Sequence, residues 1–306
     1  MDVKHIVMYS GGIGSWATAR RVAEQHGTGN LILLFTDTSI EDRDLYRFLI
    51  ETSADIFGID IPRELVARCD GIPDISTEED IRLRKILLPQ IAAETMYRIP
   101  GVKWIADGRA PWDVFRHKKY IGNSRRAQCS HVLKQEPADR WVRSVFDNER
   151  GAVIYLGIDW TEVHRTEAPI KNWSPYRVEF PMCDEPYLDK EDMLKVLDQV
   201  GIQRPRLYEM GFSHNNCSGL CVRAGQGHWA RVLDKLPAQY AYQERKEQEM
   251  REFIGKNVSM LKQVRGRTTY SLTLAELRKR IEEGAEIDVM DIGGCGCFVT
   301  DSETAA

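Results

Sequence analysis

The 306-residue chain is 42% hydrophobic and 29% charged, which is ordinary for a globular protein that buries its core without disulfide staples. Its formal net charge of −4 argues against a wholesale nucleic-acid coat, although not against a local basic patch. No apolar run approaches the ~18 residues of a membrane span, and the first residues lack a secretory pattern. We therefore expect a cytoplasmic protein with no membrane partner.

Short apolar runs alternate with helical patterns over the first 200 residues, which predicts an α/β fold with an open, doubly wound, mainly parallel sheet. The predicted strands are His5–Tyr9, Leu31–Asp37, Lys103–Ala106 and Ala152–Gly157. The predicted helices are Ser15–His26, Asp42–Phe57, Glu78–Tyr97 and Ser130–Val145. Because ligands of such sheets bind at the carboxyl ends of the strands, we expect the site there.

The composition changes beyond about residue 205. Gly211–Gly227 is rich in Gly, Asn, Cys and His, and two polar helices, Trp229–Phe253 and Leu272–Glu283, are predicted after it. The length of the chain favours about two domains. We therefore divide it into an α/β domain, residues 1–205, and a smaller, mostly helical domain that contains cysteines, residues 206–306.

A glycine loop follows the first predicted strand. Ser10–Ser15 joins that strand to a helix, where backbone N–H groups and the helix dipole favour a phosphate; a tight turn that needs glycine is the simpler explanation. The loop lacks G-K-[ST], which excludes a Walker A motif. Gly12–Ala17 does fit the dinucleotide fingerprint G-x-G-x-x-[GA], with Asp37 where a ribose-binding acid would stand, so a nicotinamide enzyme is one alternative.

Four stretches resemble the PP-loop ATP pyrophosphatases, the adenine nucleotide α-hydrolases, and in particular their phosphoadenylylsulfate (PAPS) reductase-like branch. Ser10–Ser15 resembles the loop that grips pyrophosphate, and Phe35–Thr38 with Glu41 resembles the second-strand motif that holds adenosine. Arg126–Lys134 is similar to the Cys-Ser/Thr-x-x-Leu-Lys stretch of PAPS reductases and of DNA-phosphorothioation ATPases. Gly157–Arg165 looks like their Gly-x-Arg-x-x-Glu-Ser-x-x-Arg stretch, with Asp and Val replacing the first Arg and the Ser.

This resemblance implies a Rossmann-like domain of the PP-loop (HUP) type that binds ATP and Mg²⁺. The residues expected to hold the nucleotide are Ser10, Gly11, Gly12, Ile13, Gly14, Ser15, Thr36, Asp37, Thr38 and Arg126. The residues expected to act in catalysis are Ser10, Lys134, Arg165 and Cys129. Asp37 is equally explained as a cap at the strand end, and Cys129 as a packing residue instead of a nucleophile or persulfide carrier.

The segment from Arg116 to Arg126 is a local basic cluster with Phe115 and Tyr120 interleaved. It is consistent with binding of an anionic substrate, such as a nucleic acid or a sulfonucleotide. A solvated charged surface explains the same pattern.

Seven cysteines, an odd number, argue against a disulfide framework. Two close pairs, each among glycines, supply the candidate metal ligands Cys217, Cys221, Cys295 and Cys297. Four thiolates suit zinc or an iron–sulfur cluster, and the spacing identifies neither. Buried free thiols are the alternative. The family resemblance favours a [4Fe–4S] cluster, with Zn²⁺ second.

The function predicted from these features is adenylylation of a substrate oxygen with release of pyrophosphate, in the service of sulfur transfer to a nucleic acid or a small molecule. A sulfur donor protein is a possible partner. The first alternative is a PAPS- or APS-reductase-like enzyme whose terminal cysteines reduce the nucleotide. The second is a non-catalytic nucleotide-sensing module that docks through Trp229–Phe253.

Overall fold

The structure, a computed structural model, describes residues 3–146 and 150–294, without the side chain of Arg265. Its sheet contains five parallel strands in the order β3-β2-β1-β4-β5. The strands are β1 (Lys4–Met8), β2 (Leu31–Asp37), β3 (Val102–Ala106), β4 (Ala152–Tyr155) and β5 (Arg177–Glu179). The chain is therefore α/β, compatible with a Rossmann-like fold, and the first four strands confirm the prediction.

Helices cover both faces of this sheet, which explains why its central strands are apolar at successive positions. The helices of the sheet region are α1 (Ile13–His26), α2 (Arg43–Ile56), α3 (Arg63–Arg68), α4 (Glu78–Arg98), α5 (Pro111–Lys118), α6 (Gln128–Ser130), α7 (Glu136–Val145), α8 (Glu167–Trp173) and α9 (Lys190–Val200). A π-helical turn, His131–Gln135, joins α6 to α7. Val7 faces the core shared with α1 and α2, whereas Ile6 and Met8 face the core shared with α7 and α8.

Residues 206–294 form further helices and a hairpin. Its elements are α10 (Arg206–Glu209), α11 (Gln226–Lys235), α12 (Pro237–Ile254), β6 (Leu261–Arg265), β7 (Thr268–Leu272) and α13 (Leu274–Glu282). The antiparallel pair β6–β7 was not predicted from the sequence. The single predicted helix Trp229–Phe253 is two helices, because Pro237 restricts the residue before it and Leu236 leaves the helical region.

The residues on the two sides of position 205 share one hydrophobic cluster. Leu207, Phe212 and Trp229 belong to the same cluster as Ile40 and Phe115. The later segment is thus packed against the strand-end loops of the sheet, and the division at 205 stays a prediction. None of the helices in the described ranges is both long and apolar enough to cross a membrane.

Candidate functional site

The loop Ser10–Ser15 connects β1 to the N-terminus of α1. Gly12 stands at the N-cap, where it has no side chain to accept from the N–H groups of the first turn. The Ser15 hydroxyl donates to the Gly12 carbonyl at 2.8 Å, and the Ile13 N–H donates to the Tyr208 hydroxyl at 3.1 Å. A helix N-terminus that opens on a glycine turn is suited to an anion.

Gly157 allows this loop to touch the loop that follows β4, and Gly11 allows it to pack against α2. A Cβ atom added to Gly157 would lie 2.8 Å from the Gly14 carbonyl carbon and 2.8 Å from the Ser15 nitrogen. Gly11 has a φ of +77°, and a Cβ atom there would meet the Leu45 side chain at 2.6 Å. Any larger residue at position 157 would therefore separate the two loops.

A crevice of about 260 Å³ opens at the carboxyl ends of β1 and β4. The strand order reverses between these two strands. On one side of β1 the sheet continues through β2 and β3, and on its other side it continues through β4 and β5. This is the position at which open α/β sheets bind ligands. Ser10, Gly12, Ile13, Gly14 and Ser15 all line it.

Two cations line the crevice. Arg165, from the 3₁₀ helix Trp160–Arg165, pairs with Glu162. Lys190, the first residue of α9, donates to the Ser213 carbonyl at 2.8 Å and lies 4.2 Å from the centre of the Tyr208 ring. Burial lowers the pKa of the Lys190 ammonium. The sequence predicted Arg165 but missed Lys190. A lysine at the start of a polar helix is indistinguishable in the sequence from an ordinary surface residue.

The segment after α10 closes the crevice from the other side. The Asn215 amide, 1% exposed, donates to the Gly11 carbonyl at 2.9 Å, while its buried Oδ1 has no hydrogen-bond partner within the described ranges. Burial lowers the pKa of His214 to about 4, and the charges of Lys190 and other cations reinforce the shift. His214 is therefore neutral at pH 7.

Cysteines line a second, smaller cavity of about 30 Å³. Cys129, Cys217 and Cys221 all contribute to its wall, together with Lys134 and Thr38. Residues that are more than 80 positions apart in the sequence thus meet at one place.

A buried ion pair supports this cysteine cavity. Lys134 Nζ lies 3.0 Å from Glu41 Oε1, and the two side chains are 2% and 0% exposed. The Thr38 hydroxyl donates to the same oxygen at 2.9 Å, and the Cys217 N–H donates to Glu41 Oε2. Cys217 and Ser218 adopt φ angles of +56° and +51°, which are strained for residues other than glycine. The Glu41 contact helps to hold them there.

The last described residues approach the same cysteines. Gly293 pairs with Ala224 in an isolated antiparallel bridge, and Gly294 lines a cavity of about 20 Å³ together with Cys217, Cys221 and His228. The predicted ligands Cys295 and Cys297 lie outside the described residues. Within residues 3–146 and 150–294, no group of three or more His, Cys, Asp or Glu side chains has metal-binding geometry. The structure thus brings together two of the four predicted ligands.

The crevice and the cysteine cavity adjoin each other. The 20 Å³ cavity shares His214 and Asn216 with the crevice, and it shares Cys217 and Cys221 with the cysteine cavity. The predicted nucleotide site and the predicted metal ligands Cys217 and Cys221 are consequently neighbours.

Five of the predicted nucleotide ligands lie away from the crevice wall: Gly11, Thr36, Asp37, Thr38 and Arg126. Thr38 lines the cysteine cavity instead. Thr36 is buried in β2. The carboxylate of Asp37, 1% exposed, accepts from Ser39 N–H, Tyr46 Oη and Trp104 Nε1. Burial raises the pKa of Asp37 to about 6. These contacts favour the role of Asp37 as a cap at the end of β2 over a role as a ribose ligand.

Arg126 is also outside both cavities. Its guanidinium carbon lies 5.6 Å from the centre of the Tyr120 ring, and its buried Nε has no hydrogen-bond partner in the described chain. Asp159, which departs from the family pattern, caps its 3₁₀ helix by accepting from Thr161 N–H at 2.8 Å.

We compared the chain with protein-family models, with curated proteins and with solved structures, and none of the three comparisons found a match.

Proposed function

We propose that this protein is an ATP pyrophosphatase of the PP-loop type, which transfers an adenylyl group to a substrate oxygen and prepares that position for sulfur. The observation that carries the proposal is the crevice between β1 and β4, where a glycine-and-serine loop opens a helix N-terminus beside two cations. A helix N-terminus binds phosphate through its free N–H groups, and nearby Arg and Lys side chains add charge-assisted hydrogen bonds.

The leaving pyrophosphate carries a large negative charge, so catalysis depends on fixed positive charge around it. In the proposal, the first-turn N–H groups of α1 and the hydroxyls of Ser10 and Ser15 bind the phosphates. Arg165 and Lys190 face the same space and neutralise the charge that develops. Lys134 forms an ion pair with Glu41 and lines the cysteine cavity. In the proposal it would act on the acceptor substrate and not on the phosphates.

Mg²⁺ fits the crevice because hard oxygen ligands are present. Asp159 and Glu162 line it, and nucleotide phosphates normally supply most of the remaining ligands of this ion. The ion would neutralise phosphate charge, and the two carboxylates would orient it.

The cysteine region fits a thiolate-bound metal centre in part. Cys217 and Cys221 converge on two adjoining cavities, and the bridge at Ala224 ties the chain just before Cys295 to the segment just after Cys221. We propose that Cys295 and Cys297 complete the set around a [4Fe–4S] cluster, with Zn²⁺ as the alternative. Such a centre would supply sulfur-handling or structural chemistry beside the nucleotide.

The test is calorimetric titration with Mg·ATP, followed by measurement of pyrophosphate release with RNA, DNA and small-molecule acceptors. We expect wild-type protein to bind ATP and Ser15→Ala to bind it more weakly. The matched control is Ser144→Ala, because the exposed Ser144 hydroxyl, at the end of α7, also donates to a carbonyl three residues earlier. Absence of adenine nucleotide binding, or preferential binding of NAD, would overturn the proposal.

The metal is tested by anaerobic visible spectra with iron, zinc and sulfide analysis. Cys217→Ser should lose the metal, whereas Cys183→Ser should retain it, because that thiol contacts the Ile158 carbonyl instead. Full metal content in Cys217→Ser would remove this residue from the centre.

A sulfonucleotide reductase is the second candidate, since the thiols adjoin the nucleotide crevice. Release of sulfite from PAPS, with no pyrophosphate released from ATP, would favour it.

A further inference from the structure

The phenol hydroxyl of Tyr208, from the short helix α10, meets the glycine loop at the start of α1. It accepts from the Ile13 N–H at 3.1 Å, and both residues line the crevice. A Cβ atom added to Gly12 would lie 3.6 Å from Tyr208 Oη and 3.6 Å from Ser10 Oγ. The two hydroxyls therefore lie on the side of Gly12 where a side chain would stand, and the missing side chain leaves space beside both of them.

The Ser10 hydroxyl has a weak hydrogen bond within the loop. It donates to Ser15 Oγ over 3.3 Å, which is longer than usual for two hydroxyl groups. A phosphate oxygen is a charged acceptor, and charge-assisted hydrogen bonds are stronger than neutral ones. Ser10 can therefore exchange its partner in the loop for a bound phosphate at little cost to the fold.

Tyr208 is fixed in place, which distinguishes it from a movable flap. Two residues earlier, the Arg206 guanidinium donates to both carboxylate oxygens of Asp42 at 2.8 Å and to Asp74 Oδ1 at 2.6 Å. Asp42 is 1% exposed, and the Arg206 backbone N–H donates to Asp44 Oδ2 at 2.7 Å. Breaking a bidentate pair with a buried carboxylate is costly, so Tyr208 stays beside the loop when a ligand enters.

The surroundings of the Tyr208 hydroxyl favour donation into the crevice. A hydroxyl that accepts from an N–H group becomes a stronger donor, because hydrogen bonds in a chain polarise one another. The phenol thus extends the donor capacity of the helix N-terminus outward from Ile13. The Lys190 ammonium, 4.2 Å from the ring centre, packs on the same side chain.

The charges on the crevice wall make such neutral donors necessary. Two carboxylates, Asp159 and Glu162, stand against two cations, Arg165 and Lys190, and Arg165 is paired with Glu162. An anion in the crevice therefore depends on hydroxyl and N–H donors as well as on the cations.

We propose that Tyr208 is a phosphate-binding residue, whose hydroxyl donates with that of Ser10 to an oxygen of a pyrophosphate group that lies against Gly12. The assignment of this group to ATP rests on the proposed function, but its binding does not. The site then includes residues on both sides of position 205, whereas every nucleotide ligand predicted from the sequence precedes that position.

The test is calorimetric titration of the full-length protein with inorganic pyrophosphate and Mg²⁺. Tyr208→Phe keeps the ring and removes the hydroxyl, so it should bind pyrophosphate about tenfold more weakly than the wild type. Tyr240→Phe is the matched control: that hydroxyl also bonds a backbone group, the Leu274 carbonyl at 2.7 Å, but lies outside the crevice wall, so the variant should bind like the wild type. Equal or tighter binding by Tyr208→Phe would overturn the proposal, and tighter binding would show that the phenol competes with phosphate for the Ile13 N–H.

Gly12→Ala separates direct contact from support of the loop. Gly12 has a φ of −95°, which alanine adopts readily, and the added Cβ atom makes only ordinary contacts. The variant retains the hydrogen bond between Ile13 and Tyr208 but fills the space beside both hydroxyls. It should stay folded, as its thermal melting curve would show, and bind pyrophosphate several-fold more weakly. Wild-type affinity in folded Gly12→Ala would overturn the proposal, even if Tyr208→Phe fails to fold.

The outcomes separate this inference from the proposed function, because the titration contains no adenine nucleotide. Pyrophosphate binding that depends on Tyr208, without pyrophosphate release from ATP, would support the inference and remove the proposed enzyme activity. Absence of pyrophosphate binding by the wild type would overturn the inference.

Discussion

The crevice and the cysteine cavity are built on different principles. The crevice is formed mainly by backbone: two glycine-containing turns follow β1 and β4, and parallel pairing brings them to the same edge of the sheet. The cysteine cavity is formed by residues from four distant segments, around residues 38–41, 111, 127–134 and 217–223. The first site follows from local turns and strand order, whereas the second exists only when the whole chain is folded.

The two regions also differ in what stabilises them. At the crevice, close backbone contact leaves no room for a Cβ atom at Gly157. At the cysteine cavity, a buried ion pair holds a strained turn, so its stability depends on matched charges. The following predictions probe this contrast, from the largest expected effect to the smallest.

Lys134→Met should lower the free energy of unfolding by about 3–5 kcal/mol, because it leaves the carboxylate of Glu41 buried without its partner. Urea unfolding followed by circular dichroism measures the loss. Lys134→Met combined with Glu41→Leu should recover part of it, since no unpaired charge remains. A loss below 1 kcal/mol in the single variant would show that the ion pair does not support the cavity.

Asp37 should contribute a pH-dependent term to stability. Burial raises the pKa of its carboxyl to about 6, so the folded state favours the protonated form. The protonated carboxyl therefore contributes to the free energy of unfolding in full below about pH 3.8, and this contribution is lost as the pH rises through 6. The stability of the wild type relative to Asp37→Asn should therefore fall by about 2 kcal/mol between pH 4 and pH 7. Thermal or urea unfolding across that range measures it.

ATP affinity should be nearly the same in wild-type protein and Asp37→Asn if this carboxylate is a strand-end cap. A tenfold or greater loss of ATP affinity would instead support the ribose role that the sequence suggested. The same preparations serve both measurements.

Gly157→Ala should weaken ATP binding and destabilise the protein by about 1–3 kcal/mol, because the added Cβ atom forces the two crevice loops apart. Calorimetric titration with Mg·ATP and urea unfolding measure the two effects. Gly29→Ala is the control, since a Cβ atom there meets nothing within 4 Å. Normal nucleotide binding by Gly157→Ala would mean that loop contact is not required.

Lys190→Met should reduce ATP affinity about tenfold, or about 1.4 kcal/mol, because it removes one of two cations from the crevice. Lys195→Met lies on the same helix, has an exposed side chain and should bind ATP like the wild type. Equal affinity in the two variants would exclude a direct role for Lys190.

The sequence by itself determined the parallel sheet and the position of the crevice. Apolar strands that alternate with helices form a parallel sheet in most folds. The glycine loop after β1 marks the strand end at which such sheets bind ligands. The sequence also predicted a site at Ser10, Gly12–Ser15 and Arg165, and these residues line the crevice.

Only the tertiary structure decided which distant side chains meet. It placed Lys190 and His214 at the crevice, buried Asp37 among donors, split the helix at Leu236 and brought Cys129 to the wall that Cys217 and Cys221 share. The physical reason is that turns and strand order depend on neighbours along the chain, and a periodic pattern reveals them. Burial, charge pairing and the convergence of thiols depend on packing between remote segments, for which a single sequence contains no local signal.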